Sequence, residues 1–342
     1  MARCLYLADG KGTEIAIVCL DLIFADFEAC DSIRAEIKAA TGIDTALLAF
    51  SHSHSSMALG ARGRTTTTTD KDSAWNDATI DAIVAIAKLA KQNAEPATLR
   101  VGRSQAQVGF NRRVVDPKSG HVFMRVNRNG PVVPWVNVLV ADSQETGKPV
   151  AVLYEHAAHP VIVPDTSKLI SADFPGAAAK RIHEELGDEV VALFGQGCCG
   201  NINGFPLRTT HENADNAGRK LGDSVINAIA SSTTLESDTF TVRQRQTTLP
   251  SHQLPDMETW QKWYDENRDD QRRKTQLEAM RPLVTSGRQA PPRRFDVLAI
   301  SLGNEWCLTT MPHEMFCQYE LWIDDAAPFK KTMTFAYTNG GQ

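Results

Sequence analysis

Apolar runs separated by short polar breaks recur along most of the chain, and their periods predict strands and helices in mixed succession. Residues 4–8 and 14–21 are apolar on either side of Asp9-Gly10-Lys11-Gly12, which predicts a hairpin. Residues 32–40 read as a short helix stopped by Gly42, followed by the apolar run Thr45–Phe50. Residues 62–69 form a threonine-rich stretch without periodicity, expected to be an exposed loop. Over residues 77–91, Ile80, Ile83, Val84, Ala87 and Leu89 recur at helical spacing and predict an amphipathic helix. Strands are expected near residues 98–108, 136–141 and 149–154.

The next stretch is well punctuated. Asp173 and Pro175 stand at the start of a helix over residues 176–186 that ends at Gly187. A strand over 190–194 then runs directly into Gly195-Gln196-Gly197-Cys198-Cys199-Gly200, and a helix is expected over 214–230. Residues 257–279 are highly charged, with Trp260, Trp263 and Tyr264 at helical spacing. They predict a surface helix packing an aromatic stripe on the domain, a partner-binding helix being the alternative. Residues 295–302 and 306–310 close a hairpin around Gly303-Asn304. Helix, apolar strand and glycine-rich loop in that order is α/β layout, so the expected fold class is α/β, with mixed β-sheets flanked by helices. No repeat or linker divides the chain, which predicts a single domain over 1–342.

Composition changes this picture little. With 342 residues, 42% hydrophobic and 23% charged, the chain is long enough for one large core. A net charge of −5 without a basic block argues against nucleic acid as a partner. The longest apolar runs, such as 149–154, are too short to span a bilayer, so no transmembrane segment is expected. Seven cysteines without a CxxC pair favour buried free thiols over a disulfide framework. There is no signal peptide; residues 1–7 already read as a strand.

Candidate chemistry sits at strand ends. Ser51-His52-Ser53-His54-Ser55-Ser56 closes one apolar run, and residues two apart on a strand share a face, so His52 and His54 are expected to point into one pocket. A polar strand end capping backbone groups is the alternative. A second pair, His156 and His159, follows the strand at 149–154, with His159 held extended before Pro160; either ring could instead simply bond backbone. Pro312-His313-Glu314 follows a third apolar strand, where a carboxylate is expensive unless paired, hydrogen-bonded or on a metal. Two imidazoles and a carboxylate at three strand ends form a His₂Glu-type set, a common catalytic-zinc arrangement. Asn111-Arg112-Arg113 offers a guanidinium fork for a carboxylate or a developing oxyanion, or else solvated loop arginines. In Gly197-Cys198-Cys199-Gly200-Asn201-Ile202-Asn203 the glycines allow close backbone approach, and the cysteines read as small packing residues.

Taken in order, these stations resemble the neutral/alkaline (non-lysosomal) ceramidase family, whose catalytic domain is a zinc amidase. The family's His-Thr-His-Ser-Gly-Pro-Gly is similar to Ser51–Met57, its Asn-Arg to Asn111-Arg112, and its ligand-histidine strand to 156–160. Ser-Ala-Asp-Tyr-x-Gly resembles Ser171-Ala172-Asp173-Phe174-Pro175-Gly176, Gln-Gly-x-x-Gly-Asp resembles 196–201, and Pro-Gly-Glu-Phe resembles Pro312–Phe316. The resemblance covers nearly the whole chain in collinear order. It implies a ceramidase-like catalytic domain with Zn²⁺ on His52, His159 and Glu314. His54 would be the neighbouring acid/base or substrate-orienting histidine, Arg112 would stabilise the oxyanion, and Asn111, Asp173, Gly200, Asn201 and Asn203 would form the surrounding loops. The implied reaction is hydrolysis of a linear N-acyl amide by metal-activated water, on a small-molecule or lipid-like substrate of sphingolipid type.

Three departures qualify that expectation. Ser-Gly-Pro-Gly is replaced by Ser55-Ser56-Met57-Ala58, and the family's catalytic serine position is Asn203, which cannot act as a nucleophile. The family's zinc-ligand tyrosine and a further catalytic tyrosine would fall beyond the segment matching Thr338-Asn339-Gly340, so Tyr337 is not assigned to the metal. The family's Ile-Thr-Pro-Pro segment, expected before Met1, is also missing, which predicts a fragment. Ceramide itself is therefore not the expected substrate. The alternatives are a catalytically impaired binding module and a metal-dependent esterase or phosphoesterase. The resemblance suggests a secreted or periplasmic setting; the oligomeric state is left open.

Overall fold

The computed structural model describes residues 1–60 and 70–341, so the threonine-rich stretch at 62–69 lies outside the described residues. The chain begins with β1 (Ala2–Ala8), β2 (Glu14–Leu20), α1 (Phe27–Thr41), β3 (Thr45–Phe50) and α2 (Asp70–Gln92). It continues through β4 (Ala97–Gln105), β5 (Gly109–Val115), β6 (Val122–Asn127), β7 (Trp135–Ser143), β8 (Pro149–His156), α3 (Asp173–Leu186), β9 (Val191–Gln196) and β10 (Ile202–Gly204). Then come α4 (His211–Ala230), β11 (Thr233–Thr234), β12 (Phe240–Leu249), α5 (Met257–Glu266), α6 (Gln271–Ser286), β13 (Arg293–Leu302), β14 (Trp306–Thr310), α7 (Cys317–Ala326) and β15 (Lys331–Phe335). This is the mixed α/β architecture expected. No helix among the described residues is long and apolar enough to cross a membrane.

Two compact units are present: Met1–Gln244 with Val297–Gln342, and Arg245–Asp296. In the first, β1 pairs antiparallel with β2, which pairs parallel with β3. Ile15 to Leu20 are all buried, as a strand covered on both faces requires. The crossover between β2 and β3 is α1, started by Asp26, whose carboxylate accepts from the Ala29 amide at 2.8 Å. A second sheet has the order β11-β4-β7-β8-β9, with β8 and β9 parallel around α3. Strands β10, β5 and β6 form a small antiparallel sheet, and β12-β13-β14-β15 a fourth. Leu47, Leu153, Leu193, Leu308 and Phe335, from β3, β8, β9, β14 and β15, share one buried apolar cluster. Five strands thus leave the same core.

In the second unit, the one helix expected over 257–279 is two. The chain breaks after Asn267, and Asp270 caps a new helix by accepting from the Arg273 amide at 3.0 Å. Trp260 is buried with Leu277 and Val284, donates to the Leu277 carbonyl at 2.9 Å, and stacks on Tyr264. Of the expected stripe, Trp260 and Tyr264 pack on α6 while Trp263 is exposed, and helical spacing said nothing of the Asn267–Asp270 break that lets α6 fold back.

His156, at the end of β8, has an entirely structural job. Its Nδ1 donates to the Trp135 carbonyl at 2.8 Å, and its Nε2 accepts from the Val108 amide at 3.3 Å. Both bonds need a neutral ring, and burial pushes its pKa down to about 4. The unfolded ring takes up a proton below about 6.5, so the stability it supports is present above that pH and lost as pH falls toward 4. Glu, Asp and other histidines titrate alongside it, so the discriminating comparison is with His156→Gln, whose amide never protonates. Between pH 6.5 and 4, melts of that variant should lose stability less steeply than the wild type by up to one proton's worth of slope.

Candidate metal centre

Three histidines meet at the ends of these strands. One nitrogen from each of His52, His54 and His159 lies within 4.8 Å of the others. The ring centroids of His52 stand 5.0 Å from those of both His54 and His159. The route to this convergence differs from the pleat argument. Strand β3 stops at Phe50, and His52 adopts a left-handed backbone with φ of 61°. The two rings meet because the chain turns there, not because alternate strand residues share a face.

The carboxylate of Glu314 faces two of these rings. Its Oε2 is 3.1 Å from His159 Nε2 and its Oε1 is 3.5 Å from His52 Nε2. The opposite ring nitrogens are committed elsewhere. His52 Nδ1 lies 2.7 Å from the Ile23 carbonyl, and His159 Nδ1 lies 2.7 and 3.0 Å from the carbonyls of Cys199 and Ile202. A carbonyl only accepts, so each Nδ1 carries a hydrogen, and in a neutral ring the Nε2 is then a lone pair aimed at an anion. His159 is fully buried, and that burial holds its pKa below the ordinary value, favouring the neutral ring. Two lone pairs and a carboxylate repel unless a cation lies among them. Tetrahedral zinc with bonds of ~2.0–2.1 Å sets its donors about 3.3 Å apart, and the Glu314 spacings of 3.1 and 3.5 Å bracket that edge. The residues fit such an ion.

His54 stands exposed at the mouth of the cluster. Partial burial, then the imidazoles of His52 and His159, push its pKa down to about 4, so it is neutral at neutral pH. The Glu314 carboxylate lies beside the rings of His159 and His52. Arg112 braces it from the other side, with Nη2 3.3 Å from Oε2. The same guanidinium donates to the Gly200 carbonyl from Nε and Nη2, at 3.1 and 2.6 Å, and to Asn203 Oδ1 from Nη1 at 3.1 Å. Among the described residues one Nη1 hydrogen is left without an acceptor.

The remaining residues singled out from sequence are framework. Asn111 is buried, donating to the Pro131 carbonyl and accepting from the Arg113 amide. Asp173 takes φ of 57° and accepts from the amides of Val163 and Phe174. Asn201 ties the glycine-rich loop to α7 by accepting from the Cys317 amide at 2.8 Å and donating to Gln318. Cys198 and Cys199 are buried, and burial pushes both thiols well up, which suits packing rather than nucleophilic attack.

Two residues in the site were given no role in the sequence reading. Gln196 is buried at the end of β9 and donates to the carbonyls of Ser51 and Ala158, at 2.8 and 3.1 Å, fastening both histidine segments. Tyr337, left off the metal in the sequence reading, lies at the heart of the cluster. Its hydroxyl is 3.5 Å from His159 Nε2, its ring centroid is 4.4 Å from that of His52, and it accepts from the Cys199 thiol at 3.1 Å. Beside Arg112 and Asn203, a small cleft is lined by Phe110, Met124, Val126 and Phe205.

Gly200 sets the height of Glu314. A Cβ on residue 200 would come within 2.1 Å of the Glu314 carbonyl oxygen, and the Gly200 amide donates to Met315 O at 2.7 Å. Gly200→Ala must therefore push the Glu314 backbone outward. The variant should remain folded by circular dichroism yet bind zinc about 10–100-fold more weakly, the range seen when groups supporting a metal ligand are disturbed; competition titration against a chromophoric chelator reads the change.

No family model matches the sequence, and no curated protein sequence matches it. Solved structures do. Neutral ceramidase from Pseudomonas aeruginosa superposes with a TM-score of 0.68 at 16% identity, covering 97% of this chain and 60% of that one. A ceramidase complexed with C2 gives 0.66 at 15% identity, covering 97% and 61%. The chain spans about 60% of the length of these two structures. Over nearly all of its own length, this chain has the fold of neutral ceramidase.

Proposed function

We propose that this chain is a zinc-dependent hydrolase of linear amide bonds acting on an N-acyl, lipid-like amide. The observation that carries the reading is the pair of Nε2 atoms, on His52 and His159, that face the Glu314 carboxylate at 3.5 and 3.1 Å while both Nδ1 atoms are bonded to carbonyls. His52, His159 and Glu314 would hold the ion, with His54 close enough to complete a three-histidine edge. A bound Zn²⁺ supplies a Lewis acid for the amide carbonyl and brings the pKa of water near 7.

The chain's own residues would do the rest. His54, neutral at neutral pH and open to the substrate side, takes a proton and returns it to the departing amine. The uncommitted Nη1 hydrogen of Arg112 is available to an oxyanion, while its other hydrogens hold Glu314, Asn203 and the loop in place. Tyr337 keeps its proton, since burial raises its pKa well above the ordinary phenol value, and so acts as a hydrogen-bond donor. The apolar cleft beside Arg112 suits an alkyl substituent near the amide. The fold likeness to ceramidases and the collinear motifs both favour an amide over an ester or phosphoester. Asn203 argues that ceramide is not the preferred substrate, because the family's serine is absent and Arg112 already occupies the asparagine oxygen. That same observation favours the second reading, a metal-holding binding module without turnover.

The two readings separate experimentally. Purified protein should contain close to one zinc per chain, and His52→Ala and His159→Ala should lose it; unchanged zinc in both variants removes the site. Against a panel of short-chain N-acyl amides, zinc-loaded wild type should turn over, and Arg112→Ala should lower kcat by about 10²–10³-fold, as loss of an oxyanion donor does. Zinc bound without turnover of any amide would leave the binding module standing.

A further inference from the structure

Directly beneath the glycine-rich loop lie two carboxyl groups that the proposed chemistry does not use. Glu155, at the end of β8, is fully buried, and Glu320, on α7, is 2% exposed. A Cβ built on Gly197 would sit 2.3 Å from Glu155 Oε1 and 2.9 Å from Glu320 Oε2, which places the two carboxyl groups side by side. Glu155 Oε2 accepts from Asn137 Nδ2 at 2.7 Å, and Glu320 Oε2 accepts from the Cys198 amide at 2.9 Å. Neither Oε1 atom finds a donor among the described residues. Two buried carboxylates side by side resist ionising together, and a proton shared between them would supply the hydrogen bond that the two Oε1 atoms otherwise lack.

The charges around the pair do not remove that need. Arg103 approaches from β4, but its guanidinium is engaged by Asp324 of α7, at 2.6 and 2.9 Å, and by Asn137 Oδ1 at 2.7 Å. The other titratable groups facing the pair are the thiols of Cys198, Cys199 and Cys317, which burial holds in the neutral form. Burial is the largest influence on both glutamates and raises both above the ordinary range, Glu320 to about 7.

There is no slack above them. A Cβ at Gly197 would lie 2.3 Å from Glu155 Oε1 and 2.9 Å from Glu320 Oε2, so the loop rests directly on the pair. That loop supplies the Cys199 carbonyl to His159 and the Gly200 carbonyl to Arg112. We infer that Glu155 and Glu320 are positioning residues which hold a proton between them at neutral pH, latching β8, α7 and the loop at 197–200 together, and that its loss releases the loop. Its consequence for the metal centre rests on the function proposed above; the proton and the latch do not.

The conservative amides make the test. Glutamine at 155 can still accept from Asn137 and donate to Glu320 without a titrating proton, and glutamine at 320 can make the reciprocal pair. At this pair the folded wild type should hold one more proton than the unfolded chain above pH 4.5, so the pair's contribution to stability falls as pH rises. In melts of the metal-free full chain from pH 5.5 to 8.5, the folding constant of wild type should drop relative to Glu155→Gln, by up to tenfold per pH unit per proton. Hydrogen exchange at the Cys198 amide should report the latch locally, its protection in wild type falling relative to Glu155→Gln over the same range. Both comparisons are ratios at one pH, so intrinsic exchange and the titration of other groups cancel. Parallel melts for wild type and both variants, or a Cys198 ratio constant with pH, overturns the proposal. So does failure of both Glu155→Gln and Glu320→Gln to fold at pH 6, because each retains the bonds invoked. None of these readouts requires zinc or turnover, so a failed metal centre and a failed latch are told apart.

Discussion

The site depends on where two imidazole hydrogens are pinned. Carbonyl groups of Ile23, Cys199 and Ile202 hold the Nδ1 hydrogens of His52 and His159, so that the lone pair of each neutral ring falls on Nε2. Everything else in the cluster follows from that commitment. A carboxylate 3.1 Å from such a lone pair is repulsive on its own and favourable around a cation. Backbone carbonyls make good arbiters here because they cannot donate. Their positions are set by the β2–α1 connection and the loop leaving β9, so the fold selects the tautomer.

The framework that delivers these groups is a set of loops sewn together where several strands end. Gln196 bonds the carbonyls of Ser51 and Ala158, while the Phe50 amide donates to the Tyr337 carbonyl and the His159 amide to that of Ile202. Each tie joins segments far apart in sequence but adjacent at the top of one core. The backbone is strained there as well. His52, Asp173, His313, Tyr337 and Asn339 all take positive φ, a conformation non-glycine residues avoid at a cost of order 1–3 kcal/mol each. Such strain persists only where packing and hydrogen bonds over-determine the backbone, and those are the bonds present here.

This explains what could be read in advance. Strands buried on both faces, such as Ile15–Leu20, announce themselves as continuous apolar runs, and β2, β3, β8, β9 and β14 were legible on that ground. The hairpin of β5 and β6 was not. Its residues Val115, Phe123, Met124 and Val126 are exposed, so no buried face imposes alternation on the sequence. His52, His159 and Glu314 were legible as polar residues just past apolar strands, and the structure brings them together. Tyr337 was hidden because its place depends on a left-handed turn after β15, and a Tyr-Thr-Asn-Gly string does not reveal a buried hydroxyl. Gln196 was hidden because an amide bonding two carbonyls from other segments leaves no local pattern.

Asn203 shows how the same framework can host altered chemistry. In the resembling family this position carries the serine assigned a catalytic role; here its amide oxygen accepts from Arg112, and β10 pairs it with Phe110. The arginine is thereby held by three kinds of acceptor, a carbonyl, an amide and a carboxylate, and one of its hydrogens remains uncommitted. The substitution therefore exchanges a reactive hydroxyl for a more rigid electrostatic wall beside Glu314. In the function proposed above, chemistry at this site would rest on a metal ion and on the proton carried by His54, rather than on a nucleophile supplied by the loop.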